Sequence, residues 1–333
     1  MARHCVTLSC FLTLAITGCG GGGSGAASVV SDEAASAVVD SGGGESTEQP
    51  DSEDAGDSPS TDGVLCDYSN FTLNSQAYLT YTSEAQWSCA EERWLVANGI
   101  PDHEVGAFPN ANNPNAISEQ TVSTSFTLSP VRSELPTELG GPRGAVGYVL
   151  NGVKIDAATA GSCDDSGASC SLAGGANGSW EIEALSQSHF DFGVDFNNAH
   201  VQPTGAYHYH GMPEGFLEKL GAGSSTMTLI GWAADGFPIY ARYGYSEPMN
   251  SASGLVVMQG SYQLVNTPSG NRPSVNLYAL GTFSDDWEYA DGSGDLDECN
   301  GRFGVTPEFP QGIYHYFATD SYPFFQRCVL GSL

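Results

Sequence analysis

The sequence predicts a mostly-β fold, a sandwich or distorted barrel with long loops and one or two short helices. Three observations predict it. Short apolar/polar alternations recur beyond residue 63, at the period expected of half-buried strands. Gly and Pro, 42 and 17 of 333 residues, punctuate those alternations. Only residues 84–97 and 215–220 look helical. In order, strands are expected at residues 71–73, 78–81, 124–128, 145–150 and 226–232, while 181–185 fits either state.

The first residues read as a targeting segment. Arg3 supplies a small positive region, and residues 6–16 are apolar apart from Thr and Ser, too short to span a bilayer as a helix. The segment closes with Ile16-Thr17-Gly18-Cys19, which resembles the lipobox of exported lipoproteins. That resemblance implies a signal peptide over 1–18, cleavage before Cys19 and lipidation of Cys19. The other reading is a secretory signal cut elsewhere, with Cys19 an ordinary thiol. Gly20 stands where an Asp would retain such a protein at the inner membrane. The resemblance therefore implies an exported protein on the outer membrane of a Gram-negative cell.

Residues 19–63 follow as a tether. From Gly20 to Gly63 there are ten acids, no base and no aromatic, so too little apolar surface is available to offset ordering entropy. Residues 64–333 suit one large domain or two intimately packed ones. Nine of the ten bases and 29 of the 39 acids fall there, a formal charge of −20. Nucleic acid and anionic lipid surfaces would be repelled, which leaves a lipid anchor as the expected membrane link. Divalent cations would be attracted.

Six cysteines remain beyond Cys19: Cys66, Cys89, Cys163, Cys170, Cys299 and Cys328. An even number outside the cytoplasm implies disulfides. Spacing alone leaves 15 connectivities open; the expectation adopted is sequential, Cys66–Cys89, Cys163–Cys170 and Cys299–Cys328. No CxxC pair supports a redox or zinc-ribbon motif.

One short repeat stands out. Pro203-Thr204-Gly205-Ala206-Tyr207-His208-Tyr209 recurs as Pro310-Gln311-Gly312-Ile313-Tyr314-His315-Tyr316; the repeat reads either as an ancient duplication or as convergent hairpin chemistry, and between the copies there is no further match. Pro followed two residues later by Gly fits a three-residue hairpin loop. In the first copy that loop sets Gln202 opposite Ala206, Val201 opposite Tyr207 and His200 opposite His208. Alternation then puts His200, His208 and His210 on one face and Tyr207 and Tyr209 on the other. Three imidazoles at cross-strand and i,i+2 distances could hold Zn or Cu through neutral ring nitrogens. A register one residue different would send His200 to the tyrosine face. A hydrogen-bonded, metal-free histidine cluster is the plainer alternative. By the same loop, His315 would oppose Pro307.

Tyr207-His208-Tyr209-His210-Gly211 resembles the signature of the YHYH-domain family of exported bacterial proteins. Other segments resemble that family too: Asn98-Gly99-Ile100-Pro101-Asp102-His103, Leu150-Asn151-Gly152-Val153, Ala199-His200-Val201-Gln202-Pro203, Gly231-Trp232-Ala233-Ala234-Asp235-Gly236 and Leu296-Asp297-Glu298-Cys299-Asn300-Gly301-Arg302. The resemblance implies a domain over 65–333 and no particular activity.

Further candidates lie outside the hairpin. His315 or His103 could complete the metal set or act as a base. Asp235 precedes Gly236 and is either a turn residue or a catalytic or ligating carboxylate. Arg302 could clamp an anion. Asp191 or Asp195 could orient a ligating His, and His189 reads as structural. Asp291, Ser293, Asp295 and Asp297 space oxygens as a calcium loop does, although Leu296 and Arg302 break the EF-hand pattern. No phosphate-binding glycine loop or nucleophile elbow is present. The function classes left are a metal-dependent extracytoplasmic hydrolase or copper oxidoreductase, a non-catalytic surface module for a metal, small molecule, glycan or partner protein, and a structural surface protein.

Overall fold

A computed structural model describes residues 60–173 and 178–333. The lipobox, Cys19 and nearly all of the expected tether lie outside the described residues. Packed structure starts slightly before residue 64: Thr61 is buried and its N–H donates to the Leu128 carbonyl at 2.7 Å.

The first sheet is a meander of β1 (Ser69–Gln76), β2 (Leu79–Cys89), β3 (Glu92–Ala97) and β4 (Val122–Thr127), paired in that order. The helix expected over 84–97 is therefore two antiparallel strands. Its Ala and Glu content favours helix, but its burial alternates. Ala85 and Trp87 face inward, as do Arg93, Leu95 and Ala97. Arg93 inverts the usual polarity. Its guanidinium lies 3.6 Å from the Trp232 ring centroid and donates to the carbonyls of Thr61 and Val64, each at 2.7 Å. Cys66–Cys89 ties β2 to the chain entering the sheet.

β5 (Arg132–Glu138) pairs with the last strand of the chain. Next come β6 (Gly147–Val149) and β7 (Lys154–Ile155), then a small sheet of β8 (Ser162–Cys163), β9 (Cys170–Ser171) and β10 (Trp180–Glu181), closed by Cys163–Cys170. The histidine hairpin is β11 (Ala199–Val201) and β12 (Tyr207–Tyr209). The helix α1 (Glu214–Leu220) follows, close to the expected 215–220, and ends on Gly221 in the left-handed region. Then β13 (Thr228–Ala233) and β14 (Pro238–Ala241) form a hairpin. β15 (Tyr243–Tyr245) pairs with β16 (Leu255–Val257), and β17 (Tyr262–Leu264) with β18 (Trp287–Tyr289). β19 (Gly301–Gly304), β20 (Ile313–Ala318) and β21 (Cys328–Gly331) complete the chain, with Cys299–Cys328 bridging the approach to β19 and the start of β21.

The central sheet has eight strands in the order β11-β12-β7-β6-β13-β14-β20-β19. The mostly-β expectation holds, and among the described residues no sheet closes into a barrel. The meander packs on the central sheet through Trp87, which donates to the Leu150 carbonyl at 2.8 Å, and through Phe126 against Tyr148. All three disulfides pair sequentially, as expected. No described helix is long and apolar enough to cross a membrane. The main core spans both large sheets, and a second cluster gathers Cys163, Trp180, Ile182, Phe192 and Phe283. Phe192 brings that second cluster against His200, with ring centroids 5.9 Å apart.

Candidate metal centre

The site is built by one turn. Gly205 adopts φ +86°, its N–H donates to the Gln202 carbonyl at 2.8 Å, and the Gln202 N–H donates to Ala206 at 2.9 Å. Only a residue without a Cβ takes that conformation at no steric cost. The resulting register is Val201 opposite Tyr207, His200 opposite His208 and Ala199 opposite Tyr209, as the loop predicts. The His210 N–H donates to the Asn198 carbonyl at 2.8 Å, which extends the pairing one residue past the strand.

The three imidazoles converge. Their ring centroids are 4.6–4.7 Å apart, and Nε2 of His210 lies 3.1 Å from Nε2 of His200 and 3.0 Å from Nε2 of His208. The proton count on these nitrogens decides what the cluster can do. His200 donates through Nδ1 to the Phe192 carbonyl at 3.0 Å, and His208 through Nδ1 to the Ala206 carbonyl at 3.2 Å. A carbonyl accepts only, so in the neutral rings Nε2 of both carries a lone pair. His210 Nε2 can offer one proton at most, and two lone pairs face it. At least one close nitrogen–nitrogen contact therefore lacks a proton, and a cation would resolve it. Nitrogens 3.0–3.1 Å apart, each 2.0–2.1 Å from a shared ion, subtend about 95° at that ion. Such a cap of three ligands leaves the far side of the ion open.

Electrostatics favour neutral rings. Burial pushes the pKa of all three below the ordinary value, well below for His208 and His210, and the neighbouring rings and Lys154 add to it for those two. His208 and His210 are buried, while His200 is half-buried and forms the accessible side. Beside them Lys154, in register with His208, donates to Asp156 at 3.0 Å and to Gln202 at 2.9 Å. The sequence reading missed this pair, although Gln202 stands two residues from His200 and so shares its face.

The other expected partners do not join. His103 lies with the tyrosines, its Nε2 accepting the Tyr209 hydroxyl at 2.5 Å and its Nδ1 donating to the Glu104 carbonyl at 2.8 Å. Asn151 donates to that hydroxyl and to Asp102, and Lys219 pairs with Asp102 at 2.5 Å. His315 sits on β20, five strands along the sheet from β12 and roughly 24 Å away at normal strand spacing. It opposes Arg302, not Pro307, because the β19–β20 connection is longer than the three-residue loop assumed. Arg302 donates to the Tyr245 carbonyl at 2.7 Å, also remote from the histidines. Asp195 accepts the Tyr207 hydroxyl at 2.8 Å and Asp191 accepts the Gly193 N–H, so neither orients a histidine. The Phe192 and Ala206 carbonyls do that instead. The His189 ring accepts the Ala279 N–H at 3.0 Å, a structural contact.

The acidic loop does not gather ligands. Asp291 accepts from Tyr289, Asp295 from the Gln259 N–H, and Asp297 from Cys299, Gly301 and Tyr314, and these carboxylates form no group. Ser293 has its N–H on the Ala290 carbonyl within the same loop. Among the described residues the other gathering is Asp62 with Cys66 and Cys89, whose sulfurs are already bonded to each other.

Asp235 occupies the β13–β14 turn, fully buried. It accepts the Tyr316 hydroxyl at 2.6 Å and the Gly331 N–H at 2.7 Å, and burial raises its pKa to about 6. A carboxyl raised on folding stabilises the fold while protonated; the gain is complete below its unfolded value near 4 and is lost as pH rises through about 6. The stability difference between the native chain and Asp235→Asn should thus fall by about 2–3 kcal/mol from pH 4 to 7.5. Urea melts of both proteins across that range test it, and a flat difference would refute it.

Fold and site define a β-rich, disulfide-bonded domain whose sheet edge presents three converging imidazoles. The family model described as YHYH protein matches residues 123–331, and the chain belongs to that family. The match begins in β4, so β1, β2 and β3 precede it. No curated protein and no solved structure matches the chain.

Proposed function

We propose that this chain is an exported, lipid-anchored metalloprotein that binds one Cu or Zn ion through His200, His208 and His210. The observation that carries the proposal is the proton count: three Nε2 atoms, two of them on buried rings, converge with too few protons to satisfy one another. Buried polar groups without partners cost free energy, and a divalent ion would satisfy all three. Three protein ligands and a half-buried His200 leave a coordination position for an exogenous ligand, the arrangement of catalytic rather than structural zinc sites. The ion would serve hydrolysis through a bound hydroxide or copper redox chemistry. Capture of a small ligand without turnover uses the same open position. Nucleic acid is not a partner on this reading, given the −20 charge of the domain.

Elemental analysis of the full chain, purified without a histidine tag and offered Zn or Cu, tests the proposal. One ion per chain is expected, and a chain that stays metal-free after loading would overturn it. Azide or cyanide added to the copper-loaded protein should shift its absorption spectrum if the fourth position is open.

The lipid anchor has its own test. Cys19→Ala should abolish lipid labelling and release the protein from the membrane fraction. A variant still membrane-bound and equally processed would end the lipobox reading.

A further inference from the structure

The central sheet reads the same from either edge. From one side it is outer hairpin β11–β12, then β7, then β6; from the other it is β19–β20, then β14, then β13. In each half the inner hairpin is antiparallel, and its second strand runs parallel to the Tyr-His-Tyr strand. The halves meet at β6–β13, where Tyr148 faces Trp232 and the flanking pairs are symmetric about them.

Atomic detail follows the same symmetry. Gly147 to Ile155 aligns without a gap on Gly231 to Ile239, with Asn151-Gly152 matching Asp235-Gly236 and both glycines at positive φ, +81° and +87°. Tyr209 bonds Asn151, and Tyr316 bonds Asp235. Asn198 and Asn300 both adopt the left-handed region, at φ +55° and +59°. Their carbonyls accept the N–H groups of His210 and Phe317 at 2.8 and 2.9 Å. The Gly205 and Gly312 turns carry the same hydrogen bond, to Gln202 and Phe309. A five-residue insertion lies within the second copy, between Phe303 and Phe309, the counterparts of Val201 and Gln202.

This correspondence maps His200 to Arg302, His208 to His315 and His210 to Phe317. His315 keeps the conformation of its counterpart. Each ring donates through Nδ1 to the carbonyl two residues earlier, at 3.2 Å for His208 and 2.8 Å for His315. Ring centroids of His315 and Phe317 are 5.0 Å apart at 61°, against 4.7 Å at 64° for His208 and His210. The His315 Nε2 is buried and without a partner. Arg302, in cross-strand register with His315, carries its guanidinium 5.4 Å from the Phe317 ring centroid.

We infer that the domain is a fused duplication whose second half holds a dormant counterpart of the histidine centre, in which Arg302 and Phe317 stand in place of two of the three imidazoles. The Arg302 guanidinium donates to the Tyr245 carbonyl and leaves His315 Nε2 without a partner, so a single imidazole remains where the first half gathers three. The metal part of this inference rests on the function proposed above.

Zinc stoichiometry of the full chain tests it. R302H/F317H rebuilds three imidazoles around His315 and should bind one zinc more than the native chain. In H208A/R302H/F317H that added site should be the one retained. A folded R302H/F317H that binds no more zinc than native overturns the inference. Zinc bound by R302H/F317H while the native chain takes up neither zinc nor copper would refute the proposed function and leave the duplication standing. If R302H/F317H does not fold, the reverse exchange decides. H200R/H210F should fold, bind no zinc and melt at the same temperature with and without EDTA. Its failure to fold while H200A/H210F folds overturns the inference.

Discussion

Replacing His208 with Ala is expected to weaken metal binding sharply. His208 Nε2 lies 3.0 Å from that of His210, and its ring is buried and held by the Ala206 carbonyl. Its loss leaves His200 and His210, a two-imidazole site that solvent must complete. Affinity should fall about a hundredfold or more. Stability follows by mass action. Metal at a thousand times its dissociation constant stabilises the native state by about 4 kcal/mol. For a domain of this size that is about 10 °C in melting temperature. His208→Ala should cut this metal-dependent rise to about a third or less at the same metal concentration. His315→Ala is the control: it removes an equally buried histidine from the same Tyr-His-Tyr context, roughly 24 Å away by strand spacing. It should leave metal content unchanged. Retention of metal by His208→Ala, or its loss from a folded His315→Ala, would refute the assignment.

The second large effect is expected behind the hairpin. Asp102 has a fully buried side chain that accepts from Lys219 at 2.5 Å and from Asn151 at 2.9 Å. Asn151 also donates to the Tyr209 hydroxyl, which in turn donates to His103. Asp102→Ala removes the anion from this chain of contacts. Lys219 then keeps only the side-chain oxygens of Asn70 and Thr72. Breaking a buried pair costs about 3–5 kcal/mol, and the partial exposure of Lys219 places this one near the lower figure. The melting temperature should drop by about 6–12 °C. Tyr209 lies between His208 and His210, so loosening its hydroxyl should also weaken metal affinity about tenfold. Calorimetry and metal titration of one sample read both effects. An Asp102→Ala protein that melts like the native chain would show that the network does not hold the hairpin.

Tertiary structure overrode local preference in two places. Residues 84–97 are rich in helix formers, yet they alternate inward and outward as β2 and β3. The buried Arg93 hid that alternation, because a charge at an inward position reads as a surface residue until Trp232 and the carbonyls that receive it are known. At the second hairpin the Pro-x-Gly turn forms as expected, but residues 304–308 intervene, so the turn no longer sets the pairing of the strands. The seven-residue repeat suggested a duplication, but its extent stayed out of view, since the matching residues share no constant spacing: they lie 84 apart from Gly147 to Gly231, 102 from His200 to Arg302 and 107 from His208 to His315.

The sequence by itself determined the β-rich class, that the six cysteines pair, and the register of the histidine hairpin; which cysteines pair was settled by the structure. Each of these rests on short-range chemistry. A glycine at φ +86° closes a three-residue loop, the loop sets which residues face each other, and alternation sets which share a side. Only the tertiary structure decided which distant residues meet that hairpin. It put His103 behind the cluster and His315 across the sheet, and it supplied the Phe192 carbonyl that fixes the His200 tautomer. Strand order and the packing of loops on a sheet depend on contacts far apart in the chain, and no local pattern encodes them.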